Sequence, residues 1–280
     1  MNKTILVSLS IIAAVAAIAV GGTVAYFSDT ETSAGNTFTA GGIDLKIDYD
    51  CYFNKVADGT PNCGGWDLKS LTTERFFDFD DIKPGDFGEG TISLHVYNND
   101  AWGALTINNI TDTDNDITEP EDEVDGFIDD KDGTCDGDLD DGLELLVWVD
   151  HGCIAGFQCP EDEPRCAADS CEGDNVWQGD CWEPVIFTGS GTDNWVNVKN
   201  DIDPAGETWA ISDAIKAICA HFGPGYPGIT EDGRLVGSVT YYMGVAWRAS
   251  TALGNIAQTD GWGADLTFEV TQARNQVDPY

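Results

Sequence analysis

The chain has 280 residues and a formal charge of −37, from 50 acidic residues against 13 Lys and Arg. Such a surface repels nucleic acid and anionic membranes, which excludes both as default partners. Hydrophobic residues make up 42% and aromatics 10%, too much apolar matter for a disordered acidic tail and enough to bury a core.

In chain order, residues 1–25 read as a secretory signal peptide. Lys3 is the charged n-region, residues 5–20 are apolar apart from two serines, and Gly21-Gly22-Thr23-Val24-Ala25 offers small residues to a peptidase. Cleavage after Ala25 frees Tyr26. The same apolar run is about 20 residues long, enough to stay in a bilayer as an anchor. The small-residue exit, with no Lys or Arg just behind it, favours cleavage. A flexible polar lead follows at residues 26–42, carrying Tyr26, Phe27 and Phe38 as its large apolar residues.

The first strand has a two-residue period: Ile43, Leu45, Ile47 and Tyr49 on one face, Asp44, Lys46 and Asp48 on the other. Cys51 and Cys63 bracket a Gly/Pro/Asn loop they can close. Pro84-Gly85 signals a type II turn. Residues 91–97 alternate, with Ile92, Leu94 and Val96 facing one way. Asn98-Asn99-Asp100 turns the chain toward a partner strand at 104–110.

An acidic insertion spans residues 111–142. Asp112, Asp114 and Asp116 alternate and Glu123 stands twelfth from Asp112, as in an EF-hand loop. Ile117 occupies the place that wants Gly, Pro120 interrupts, and no helices flank it, so an EF-hand is excluded. A looser Ca²⁺ site among Asp112, Asp114, Asp116, Asp130, Asp132, Asp136, Asp138 and Asp140 is the expectation, against the plain alternative of a solvated acidic loop. No organic cofactor is implied. Residues 143–149, LELLVWV, suit a buried strand.

A cysteine-rich insertion occupies residues 151–183. The chain has nine cysteines, all behind the signal, which in an exported protein read as disulfides. The candidates are Cys51, Cys63, Cys153, Cys159, Cys166, Cys171 and Cys181. Cys219, inside a helical apolar pattern, reads as a buried free thiol. No Cys-x-x-Cys pair supports zinc. A strand at 185–187 and a helix at 204–222 follow, the helix with Ile211, Ile215, Ile218 and Phe222 on one face, a start at Asp203-Pro204 and a stop at Gly223-Pro224. Long alternating strands end the chain, with Val239, Tyr241, Met243, Val245 and Trp247 on one face and then Leu266, Phe268 and Val270. The whole predicts a mainly β protein: an antiparallel β-sandwich or jelly roll with one inserted helix, residues 43–280 forming a single domain.

Four segments carry a family resemblance: GGTVAYFSDTETSAGNTFTAGGIDLKI at the signal exit, IKPGDFGEGTISLHVYNNDAWGALTI, LELLVWVD, and the closing YYMGVAWRASTALGNIAQTDGWGADLTFEVTQARN. In that order they resemble the TasA–camelysin family of secreted fibre proteins, with the acidic and cysteine-rich insertions as departures. The resemblance implies a jelly-roll-like fold, processing by a dedicated signal peptidase of SipW type, and a role in biofilm-matrix fibres or archaeal bundling pili. It also implies that the N-terminal segment of one subunit completes the sheet of the next. Carried over, the donor is residues 26 to about 40, with Tyr26, Phe27 and Phe38 as anchors, and the partner is another copy, head to tail. The alternative is that this segment folds back into its own sheet.

Camelysin relatives are classed with metallopeptidases, but His95, His151 and His221 form no His-Glu-x-x-His, and no nucleophile elbow or phosphate loop occurs. The expectation is therefore no enzyme. A calcium-dependent surface adhesin is the second reading and a secreted metallopeptidase the third. Asn109-Ile110-Thr111 is a glycosylation sequon.

Overall fold

The computed structural model describes residues 28–32, 43–56, 60–115, 137–154, 171, 173–191 and 193–280. The signal segment, Tyr26, Phe27, Phe38, Asp116, Asp130, Asp132, Asp136, Cys159 and Cys166 lie outside them.

Two antiparallel sheets face each other across one apolar core. The elements are β1 (Ser28–Thr32), β2 (Asp44–Phe53), β3 (Gly65–Lys69), β4 (Phe87–Tyr97), β5 (Ala101–Thr113), α1 (Leu139–Gly142), β6 (Leu143–Val149), β7 (Val196–Asn197), β8 (Glu207–Ala210), α2 (Ile211–Phe222), β9 (Val239–Ala249) and β10 (Gly261–Gln272). The first sheet has the order β1-β10-β5-β8 and the second β3-β2-β4-β9-β6-β7. With the β2–β3 pair set aside, the first, last, third and sixth of the remaining strands share one sheet, and the second, seventh, fourth and fifth share the other.

The alternation in the sequence is what the core uses. Ile43, Leu45, Ile47 and Tyr49 are buried, as are Ile92, Leu94 and Val96 on β4 and Tyr241, Met243, Val245 and Trp247 on β9. Phe268 and Val270 meet them from β10. β6 is apolar on both faces because both are covered. Leu143, Leu145, Val147 and Val149 enter the main core, while Leu146 and Trp148 join Ala246, Trp177, Val185 and Trp195 in a small cluster on the outer face. Cys51 and Cys63 are bridged, closing the predicted loop. Gly85 at φ +92 and the Asp86 N–H donating to the Lys83 carbonyl at 2.9 Å form the expected turn.

Three local expectations change. The turn at residues 98–100 makes no hairpin: β4 already has β2 on one edge and β9 on the other, so β5 crosses to the opposite sheet. The helix begins at Ile211, because residues 207–210 pair with β5 as β8. The Asp203 carboxylate accepts from the Ala205 N–H at 2.8 Å, so the apparent cap serves a turn. The helix ends where expected, with Gly223 at φ +88 and its N–H on the Cys219 carbonyl. Residues 185–187 contribute a single bridge, Val185 to Trp148, in place of a strand.

Candidate functional site

The most consequential local geometry is the outer edge of the first sheet. β10 pairs with β5 over its whole length, with one register shift between Gly263 and Asp265. Its other edge is occupied only in part. β1 lies antiparallel along Thr267–Thr271, with Ser28 opposite Thr271, Thr30 opposite Glu269 and Thr32 opposite Thr267. Among the described residues no strand covers that edge over positions 261–266. Beneath it, Phe268 and Val270 are each 1% exposed, so the strand that offers the edge is anchored in the core. The chain end braces the same strand. The Ala273 N–H donates to the Asp100 carbonyl at 2.9 Å, and the Tyr280 and Thr271 hydroxyls are 2.9 Å apart.

This placement bears on the donor expectation. Residues 28–32, part of the segment expected on a neighbour, sit on the chain's own edge. For residues 28–32 this is the fold-back arrangement named as the alternative in the sequence reading. The paired span is Ser-Asp-Thr-Glu-Thr, without an apolar residue, so the backbone ladder is what holds it.

A second site lies where the cysteine-rich insertion leaves the second sheet. Asp150 follows β6 and is fully buried; Glu183 is 4% exposed. Asp150 accepts from the backbone N–H of Gly173 (3.1 Å) and Asn175 (2.9 Å). Glu183 accepts from Gly152 (3.1 Å) and Gln178 (2.6 Å). The two carboxyl groups lie close enough to share a hydrogen bond once one of them is protonated. Burial pushes both upward from the ordinary carboxylate range; the backbone donors oppose that shift, and the charge of Asp174 adds to it on Asp150. The Cys153–Cys181 bridge stands beside them, joining the two ends of the insertion.

Residues 3–130 match the family described as camelysin metallo-endopeptidase. Over that stretch, a little under half of its length, the chain is similar to the camelysin family. No curated protein and no solved structure matches it. The family description raises the question of a catalytic metal, and the histidines do not fit one. His95 shares both ring nitrogens with protein groups, Nε2 with Asp48 at 2.7 Å and Nδ1 with Thr240 at 2.9 Å. His151 is fully buried with Nε2 at 3.0 Å from the Trp182 carbonyl. His221 stacks on the Trp182 ring with centroids 4.1 Å apart. Among the described residues no three His, Cys, Asp or Glu side chains come together to hold a metal ion.

Of the calcium candidates, Asp112, Asp114, Asp138 and Asp140 are among the described residues. Asp112 and Asp114 lie at and just past the end of β5. Asp138 precedes α1, its N–H donating to the Asp260 carboxylate at 2.6 Å. Asp140 is buried and ion-paired with Lys199 at 3.3 Å. Asp260 joins Asp112 around Gly137, a neighbour the sequence did not single out. Asn109 is exposed and its amide donates to Asp265 at 2.7 Å. Cys219 is the expected buried free thiol, and Cys171 is half-buried. Sequence reasoning missed Asp150 and Glu183, and it left the β10 edge unnamed.

Proposed function

We propose that this protein is a secreted structural subunit of an extracellular filament, a matrix fibre or bundling pilus, joined head to tail by exchange of its N-terminal strand. The observation that carries the reading is the β1–β10 pairing. β1 is the outermost strand of its sheet, tied to the domain by a backbone ladder that any identical strand reproduces. An edge with its N–H and C=O groups open is a template for another chain. In the monomer the arm fills its own edge; in the filament the same register takes the arm of the neighbour. Such a joint is heterologous and propagates without closing. Tyr26, Phe27 and Phe38 flank β1 and supply the apolar anchors it lacks, each buried Phe contributing roughly 1.5–3 kcal/mol. The two bridged cysteine pairs accord with an oxidising, extracellular setting.

The test is electron microscopy of the secreted protein after N-terminal sequencing. The reading expects a mature start at or near Tyr26 and filaments that disappear, with the domain still folded, when residues 26–40 are deleted. Filaments that persist after the deletion refute the donor assignment. Monomers that bind surfaces only with Ca²⁺, and never polymerise, would establish the adhesin reading instead, with the acidic rim around Asp112, Asp138 and Asp260 as its site.

A further inference from the structure

We propose that Asp150 and Glu183 share one proton and form a pH-sensitive clasp that closes the base of the cysteine-rich insertion. The clasp is built from both sides of the insertion. Asp150, rooted at the end of β6, holds the N–H groups of Gly173 and Asn175 on the returning chain. Glu183, on the returning chain, holds Gly152 on the outgoing one and Gln178 beside it. Two carboxylates this deeply buried cannot both be charged without a cation between them, because low polarity removes the solvation each needs. Among the described residues, the groups that act on the pair are Asp174, which is anionic, and backbone amides, with no cationic side chain. Other described residues nearby are His151, directed to the Trp182 carbonyl, Tyr242 of β9 against Gly173, and His221 stacked on the Trp182 ring. A proton is the charge balance this surrounding permits, with the Glu183 O–H donating to the Asp150 carboxylate.

The sign follows from linkage. The closed clasp binds more protons than the open one from the ordinary carboxylate range upward, so closure is strongest in acid and weakens as pH rises through neutrality into alkali. Opening frees the returning chain at residues 173–178 from the outer face, where Trp177 packs on Leu146 and Trp148, while Cys153–Cys181 stays bridged.

Infrared spectroscopy of the full mature chain tests the shared proton directly. A protonated-carboxyl C=O stretch is expected at neutral pH, lost on alkaline titration and absent in Glu183→Gln. Amide hydrogen exchange, corrected for its intrinsic pH dependence, tests the opening. Protection at Gly152, Gly173, Asn175 and Gln178 should fall by about 10-fold or more from about pH 5 to about pH 9, since each pH unit over which the closed state holds one extra proton changes the closing equilibrium by a factor of about ten. Core amides such as Ile92 and Leu94 should not follow. Glu183→Gln, which keeps a donor to Asp150 but has no titrating proton, should flatten that profile. The proposal is overturned if wild-type protein lacks the band at neutral pH, if Glu183→Gln retains the full pH dependence, or if a chelator opens the insertion at neutral pH, since a metal ion would then hold the pair.

Discussion

Phe268→Ala measures whether the strand that offers the open edge is fastened to the core as the packing indicates. Phe268 is 1% exposed in the middle of β10, opposite Leu105 of β5 on one side and Glu31 of β1 on the other. Its ring meets Phe76 edge-on at 5.9 Å, and Phe76 in turn meets Tyr49 of the opposite sheet at 5.2 Å. Truncation removes the transfer energy of the ring and leaves a cavity that β10, pinned along β5 and at Ala273, cannot close. The expected loss is about 3–5 kcal/mol, a large part of the roughly 5–15 kcal/mol that holds a domain. Urea unfolding followed by tryptophan fluorescence, with disulfides intact, should show a lower midpoint at unchanged slope. Since the cavity sits in the strand proposed as the acceptor, the proposed exchange predicts that the same variant binds an added peptide of residues 26–40 more weakly than wild type. A loss below about 1 kcal/mol would mean that the site collapses or that the sheets do not share a core there, and the aromatic chain from β10 to β2 would have to be abandoned.

Gly244→Ala should cost about 1–3 kcal/mol by overpacking. A Cβ there would lie 2.0 Å from the Trp148 ring, and Trp148→Leu in the same chain should recover part of the loss in a thermal melt. Glu74 carries the opposite pH signature to the clasp. Against burial, which acts to raise it, the Lys69 ammonium at 2.6 Å and the N–H groups of Thr72 and Thr73 hold its carboxyl at about 2. A depressed carboxyl stabilises above its ordinary value and ceases to do so as pH falls through the lowered one. Glu74→Gln should therefore cost about 1 kcal/mol at neutral pH, the scale of a solvent-screened pair, with the gap closing toward pH 2, read from melts of both proteins across acid pH. A gap that persists at the acid limit would locate the loss in packing.

The sequence was legible wherever one face of a strand is buried. Ile43, Leu45, Ile47 and Tyr49 alternate because a pleated strand sends every second side chain into the core, and no partner need be known to see it. Partner identity was not legible: Asn98-Asn99-Asp100 is compatible with a hairpin or a crossover, and only the occupied edges of β4 decide between them. Asp203-Pro204 misled for a related reason, since an aspartate that can cap a helix can equally hold a turn, and the β8–β5 ladder made the choice. Asp150 and Glu183 were hidden by numbers. Among 50 acidic residues, two that are 33 positions apart carry no contrast until the fold buries them together.

The charge and the edge also constrain each other. A chain at −37 repels its copies, and β1 adds Asp29 and Glu31 to an edge that already carries Glu269. Coulomb forces therefore oppose the joint at every step of approach, while the backbone ladder that makes it is uncharged. The Debye length falls from about 8 Å at physiological salt to about 3 Å at 1 M, so ionic strength governs how readily an arm reaches a neighbouring edge. On the proposed joint it would have less hold once the uncharged backbone ladder had formed, because that ladder is insensitive to screening. Within one chain the arm is tethered and its effective concentration is high, which favours the closed monomer at low salt. The proposed strand exchange therefore predicts a chain that stays monomeric when dilute and unscreened and links when concentrated in salt, an outcome that light scattering across a salt series would read.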